Sequence, residues 1–263
     1  LAHETHRPFT GPTGEDVVQM EIVLLERPLG DPYLNDELWS LVDENEIEGR
    51  ALLDANGFRA GQIGGAPPDG LQAMLLSERC NVAPRHVGLR AGMARDVSLG
   101  SVWGSLPFRL KRDGMVAAME HHQAQCLLEV LPELAEGDKI RLRFTPQVRH
   151  GEAVLVAQPV LRKSGEREWN FEKRQPTETY CELSWELTLS PNEYALVGAR
   201  YERMGTLGHR FFVNTEEPTP VQRLLVIRCA RSQPRATAVA EAVRRTPALA
   251  LQASFSSIRG SAP

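Results

Sequence analysis

Cysteine is sparse. Cys80, Cys126, Cys181 and Cys229 are far apart and no two form a CxxC pair, which argues against a structural zinc finger or ribbon. Free, buried thiols are expected, and one or two disulfides stay open if the protein is exported. Long apolar runs are missing too. None reaches the roughly 18 residues that mark a transmembrane helix, although a β-barrel gives a much weaker signal. Aromatic residues make up 6% of the chain. Its tryptophans, Trp39, Trp103, Trp169 and Trp185, are too few for an interfacial girdle, and Trp185 is expected in a core. Charge of one sign is also lacking. A net charge of −4 gives no drive toward nucleic acid or an anionic membrane surface. The first residue is Leu1 rather than methionine. A removed export signal would explain that, as would trimming.

Catalytic motifs are absent as well. Gly61-Gln62-Ile63-Gly64-Gly65 lies between a predicted strand and a predicted helix, where a phosphate loop would sit. The spacing is not GxGxxG, no GK[ST] occurs, and Pro67 and Pro68 remove two donors. A plain turn is expected. No serine or cysteine sits in a GxSxG elbow. His3-Glu4-Thr5-His6 is one residue short of HExxH. Glu21 with Glu26, and Asp43 with Glu44 and Glu46, read as solvated faces rather than a tuned acid–base pair. His121, His122 and Cys126 are ligand-type residues and the weak candidates for a metal. Adjacent strand residues point to opposite faces, so a site there needs a ligand from elsewhere. No catalytic residue, cofactor or metal is assigned, and the chain is expected not to be an enzyme.

What is present is short apolar alternation, punctuated by turns. With 263 residues and 42% apolar content, a sizeable core can form without staples. Residues 17–26 alternate Val18, Met20, Ile22 and Leu24 against Gln19 and Glu21, the period of a strand. Residues 34–45 place Leu34, Leu38, Leu41 and Val42 on one helical stripe. A second helix is expected over 48–55, a strand over 58–63 and a helix from Pro67 to about Arg79. Strands follow at 86–91, 95–100, 106–111, 114–119, 124–134, 139–148, 153–160, 178–189, 194–201, 209–213 and 221–230. The run LLVI at 224–227 predicts a strand covered on both faces. The charged segment 161–176 predicts a protruding loop or hairpin. The fold class is therefore mainly β with a small α/β N-terminal element. Its parts are an extended arm (1–15), a strand plus α/β insert (16–84), a β-rich domain (85–231) and a mobile basic tail (232–263) with a short helix at 237–245.

The most informative stretch is 124–148. Leu128, Val130, Pro132 and Leu134 occupy every second position. Across a Glu136-Gly137-Asp138 turn, Ile140, Leu142, Phe144 and Pro146 do the same. Two prolines at matched places in paired strands are unusual, because proline cannot donate to the ladder.

This stretch resembles the C-terminal domain of secretins, the ring-forming outer-membrane channels of type II and type III secretion and type IV pilus systems. VVQMEIVLLE at 17–26 looks like that family's opening strand, Glu26 included. The Leu-x-Val-x-Pro segment is matched by Leu128, Val130 and Pro132, and the segment after the turn by Ile140, Leu142, Phe144, Pro146 and Val148. LTLSPNEYALVGA at 187–199 is similar to a later hairpin and keeps Gly198. Leu207, Gly208 and Phe211 echo a Gly-x-Leu-Phe element, and Arg223–Ile227 the closing strand. The second glycine of a pair is Ala199 here, and Cys229-Ala230 stand where the family ends in Thr-Pro. The short helical unit at 31–79 stands where the family carries long membrane and gate hairpins.

The resemblance implies a secretin-like antiparallel sheet domain and a non-enzymatic structural subunit of the bacterial cell envelope. It would lie in the periplasm or at the outer membrane and self-assemble into a ring or layer. Expected partners are copies of itself and other envelope or secretion-complex proteins, with membrane association possible without a transmembrane helix. The alternative is a soluble monomeric or dimeric adaptor that uses the same sheet without a pore.

Overall fold

The computed structural model describes residues 16–232, apart from 46, 83, 162–166 and 217. The expected arm at 1–15, with its His3–His6 segment, and nearly all of the expected tail, including the short helix at 237–245, lie outside the described residues.

In chain order the elements are β1 (Val17–Pro28), a π-helical turn (Tyr33–Leu38), α1 (Arg50–Ala55), β2 (Phe58–Ile63), α2 (Asp69–Leu76), β3 (Arg85–Arg90), β4 (Arg95–Ser98), β5 (Trp103–Arg112), β6 (Met115–Leu134), β7 (Ile140–Arg149), β8 (Val154–Leu161), β9 (Arg167–Arg174), β10 (Thr177–Thr179), a 3-10 turn (Cys181–Leu183), β11 (Trp185–Leu189), β12 (Tyr194–Ala199), α3 (Leu207–Phe212), β13 (Val213–Asn214) and β14 (Val221–Arg231). They form three antiparallel sheets. The first runs β2-β12-β14-β1-β3, with β13 on β14. The second runs β10-β7-β6-β4, with β11 also on β7 and β5 on β6. The third is the β8–β9 hairpin. Strands from both sides of residue 85 share the first sheet, so the helical unit is built into the β structure. The class is mainly β, as expected.

The first sheet is covered on both faces. Along β1 and β14, Ile22 pairs with Ile227 and Leu24 with Leu225, and these four enter the large core between the two sheets. Val23, Leu25, Leu224 and Val226 point the other way, into a smaller core with Leu34, Leu38, Trp39 and Leu71. The continuous run at 224–227 is thus apolar because both sides of the sheet are dry. Beside it, the buried Arg223 donates to Glu26 Oε1 at 2.7 Å and to the Leu99 carbonyl at 2.9 Å. A side chain at Gly100 would run into that guanidinium.

The expected β6–β7 hairpin forms, with Val130 opposite Phe144 and Leu134 opposite Ile140. Its two prolines each face a leucine, as Leu128–Pro146 and Pro132–Leu142. The Pro146 carbonyl accepts from Tyr180 N at 3.0 Å, and the Pro132 carbonyl from Gly92 N at 2.8 Å. A strand residue sends its N–H and C=O to the same side. Each missing donor therefore faces away from the hairpin partner. Pro146 sits where β10 ends and β11 has not begun, so no ladder bond is lost.

Several elements differ from expectation. The helix over 34–45 shrinks to the π-helical turn and a short extension. Leu34 and Leu38 are buried, but Leu41 is exposed, because Asp43 leaves the helical path to bridge Gln62. The strand expected at 209–213 is mostly helix α3. Leu207, Gly208, Phe211 and Phe212 form one helical face, and Gly208 lies against the Gly57–Phe58 backbone, where a Cβ would come within 2.5 Å of Phe58 N. The separate strands expected at 114–119 and 124–134 are one strand, β6. The strand expected at 178–189 is broken into β10, the 3-10 turn and β11, although Leu183, Trp185, Leu187 and Leu189 are all buried as their alternation predicts. Cys80, Cys126 and Cys229 are free and buried, whereas Cys181 is free and exposed. No helix among the described residues is long and apolar enough to cross a membrane.

Phe144 is fully buried, with its ring stacked on Trp185 at 5.2 Å. Leu142 is equally buried. Leu142→Ala and Phe144→Ala are each expected to lower the unfolding free energy by about 2–5 kcal/mol. Urea denaturation checks this, and near-wild-type midpoints would refute the core position of the hairpin.

Candidate functional site

β6 changes phase once. Met119 and His121 face inward at odd positions, but Ala124, Cys126, Leu128 and Val130 face inward at even ones. Gln123 makes the change, with a backbone φ of 49°. It lies where β6 exchanges β5 for β7 as partner. A residue in the left-handed region kinks a strand and resets its alternation. The kink keeps His121 on the inner face.

The three metal candidates are therefore separated. His122 points outward and is exposed, and its carbonyl accepts from Gly151 N at 2.8 Å. Cys126 is buried beneath the sheet, its Sγ 3.7 Å from the Arg210 carbonyl. Burial pushes its thiol far up, and that of Cys229 up to about 12. Neither is a reactive thiolate. His121 alone joins a cluster, and its partners are residues that local sequence reasoning missed.

Those partners are His150 and Glu178, with Tyr180 beside them. One ligand atom from each of His121, His150 and Glu178 lies within 4.8 Å of the other two. Glu178 Oε2 is 3.0 Å from His121 Nε2, and the Tyr180 hydroxyl is 3.3 Å from the same nitrogen. The His121 and His150 rings stack with centroids 4.2 Å apart and planes 17° from parallel. Phe108 closes the inner side, 5.6 Å from His121 and edge-on to Tyr180. His150 continues the inward row of β7, two residues beyond Val148. Glu178 pairs with Val148 from β10. The His150 amide donates to the Pro176 carbonyl at 2.9 Å, and the Gln175 side chain donates to the Gly151 carbonyl at 2.9 Å. The cluster thus stands at the neck of the β8–β9 hairpin, between the strand that enters it and the strand that leaves it. The periodicity of β7 carries His150, but only the tertiary turn after β9 brings Glu178 back to it.

Burial lowers the affinity of His121 for a proton, and the neighbouring His150 lowers it further, against the opposing pull of Glu178. The Tyr180 phenol is raised, first by burial and then by the Glu178 carboxylate. Neutral imidazole beside a carboxylate is a ligand set suited to a divalent cation.

The other sequence candidates resolve differently. Asp43 N donates to the Gln62 carbonyl at 2.8 Å, and Gln62 N returns a bond to the Asp43 carbonyl at 2.9 Å. Gly61 makes room for that strand-like crossing, so the glycine segment is filled by the chain itself. Glu44 is not on a solvated face. It is buried, within 2.6 Å of Arg59, 2.9 Å of Arg50 and 3.8 Å of Arg200. A carboxylate leaves water only when cations replace its hydration. Glu26, paired with Arg223, is likewise a structural anchor. Glu46 lies outside the described residues. The residues that carry the family resemblance are packing residues. Leu128, Val130, Ile140, Leu142, Phe144 and Phe211 are at most 2% exposed, and Pro132 and Pro146 are buried with them. Gly198 and Gly208 sit where a side chain would press on a neighbour.

No family model matches the chain, and no curated protein matches it.

His209 in α3 is also buried, and burial followed by Arg210 lowers its pKa. Both His121 and His209 thus bind protons less readily in the folded chain than at the ordinary value of 6.5. Below that value the unfolded state takes up more protons, so stability falls on acidification and is regained above it. In chelator, the unfolding free energy is expected to climb from pH 5 to pH 7, by at most about 1.4 kcal/mol per pH unit for each site. His121→Gln removes its share of that slope. An identical pH profile for the variant would contradict the assignment.

Proposed function

We propose that the protein is a non-enzymatic, secretin-like structural subunit of the bacterial cell envelope that assembles from copies of itself. The observation that carries this reading is the β8–β9 hairpin. The two strands pair with each other and with no other described strand. Their register aligns Ala157 with Phe171 and Pro159 with Trp169. One face therefore presents Leu155, Ala157, Pro159, Phe171 and Trp169. Leu155, Phe171 and Trp169 are each more than 60% exposed.

An isolated two-stranded hairpin is marginal in water, and a protruding apolar face of this kind marks an interaction surface. The occupant favoured is a second copy of the chain. Among the described residues no strand pairs with either outer edge of the hairpin, so each copy offers two edges to a neighbour. Such head-to-tail pairing closes into a ring or extends into a layer. It turns an otherwise hazardous edge to use. The resemblance of the sequence to secretins supports the same reading.

The native mass of untagged protein extracted in mild detergent tests this. Assemblies at multiples of 29.2 kDa are expected, with rings or sheets in negative-stain images. Trp169→Glu with Phe171→Lys should leave a folded monomer. A clean wild-type monomer at micromolar concentration would overturn self-assembly in favour of a soluble adaptor.

A further inference from the structure

We propose that His121, His150 and Glu178 hold a zinc ion at the neck of the β8–β9 hairpin. Donors from β6, from the residue that follows β7 and from β10 converge there. Two are imidazole nitrogens and the third a carboxylate oxygen. That set suits zinc, whereas magnesium and calcium take oxygen ligands. Zinc bonds of about 2.0–2.2 Å would set the donor atoms about 3.3–3.5 Å apart. Glu178 Oε2 and His121 Nε2 already lie at 3.0 Å, and all three donors within 4.8 Å; the stacked imidazoles turn out of their stack on binding, so that both nitrogens aim at one point in their ring planes. A simple ion pair accounts for His121 and Glu178. It gives no reason for a second imidazole to stack 4.2 Å from the first.

The surroundings suit a bound cation. Phe108 and the buried Tyr180 wall the inner side. The side chains of His121 and Glu178 retain 10% and 37% exposure, which leaves a path for metal from solvent. The fourth position falls to water, with the Tyr180 hydroxyl close enough to orient it. A three-ligand zinc with one open position is a recognised arrangement. Its effect here is mechanical. His150 is the last residue of the inward row before the hairpin, and Glu178 follows the hairpin in β10, only three residues long. Joining both to His121 fixes the entry and exit strands to the body of the second sheet. Metal binding at the neck needs no partner for the hairpin.

Protein stripped with chelator and dialysed against zinc is measured for bound metal by elemental analysis, for affinity by competition with a chromophoric chelator, and for melting temperature. One zinc per chain at this site is expected. The melting temperature should rise with zinc concentration and not with magnesium. His150→Gln and Glu178→Gln should each weaken binding by more than the ~10–100-fold that loss of an outer hydrogen-bonding partner costs, and each variant's zinc-dependent rise is read against its own metal-free melting temperature. His122→Gln, on the opposite face, should bind as the wild type does. No zinc-dependent rise in melting temperature, or zinc affinity unchanged in both His150→Gln and Glu178→Gln, would overturn the site.

Discussion

The pairing of β1 with β14 is the constraint on which the remaining structure depends. It brings the start and the end of the described chain together in register from Val18–Arg231 to Pro28–Val221. It also supplies both cores at once, because alternate residues of the same two strands face the second sheet and the helical unit. A two-faced strand pair of this kind tolerates no polar row. One charged contact made from it, Glu26 with Arg223, is tied off by the Leu99 carbonyl. The contact between chain ends is long in sequence, so its loop-closure entropy must be offset by burial that forms late.

Around that pair the architecture follows from how each strand's polar groups are spent. The β6–β7 hairpin places two prolines in its core without losing hydrogen bonds, because their blind sides face Gly92 and the gap at Tyr180. Buried charge follows the same rule. Glu44 gathers three arginines from α1, β2 and the turn after β12, which ties the helical unit to the first sheet. The β8–β9 hairpin departs from the rule, since its apolar face has no covering element among the described residues. That asymmetry separates this hairpin from the packed strands of the other two sheets.

Much of the fold was legible because alternation with a period of two survives in the sequence. Val18 to Leu24, Leu128 to Pro132, Ile140 to Pro146 and Leu183 to Leu189 each mark a buried row. The run at 224–227 announced a strand buried on both sides. Legibility failed where tertiary contact overrode local pattern. α3 reads as a strand until Gly208 is seen pressed on the Gly57–Phe58 backbone. Glu44 reads as solvent-facing because its arginines come from distant segments. The histidine cluster was half legible. His121 carries a ligand's chemistry in sequence, but His150 and Glu178 are set beside it only by the return of the chain through β8 and β9, and no local spacing encodes that return.

The kink at Gln123 has a consequence for how this chain can vary. β6 is in effect two strands joined at one residue, with the outer arm counted in odd numbers and the inner arm in even ones. Loss or gain of a single codon there would exchange the wet and dry sides of the whole outer arm, β5 included, while leaving the inner hairpin untouched. Residue length at this point therefore acts as a rotary setting for the arm. Substitutions at Gln123 that keep a positive φ, such as asparagine or glycine, preserve the setting, whereas insertions and deletions do not.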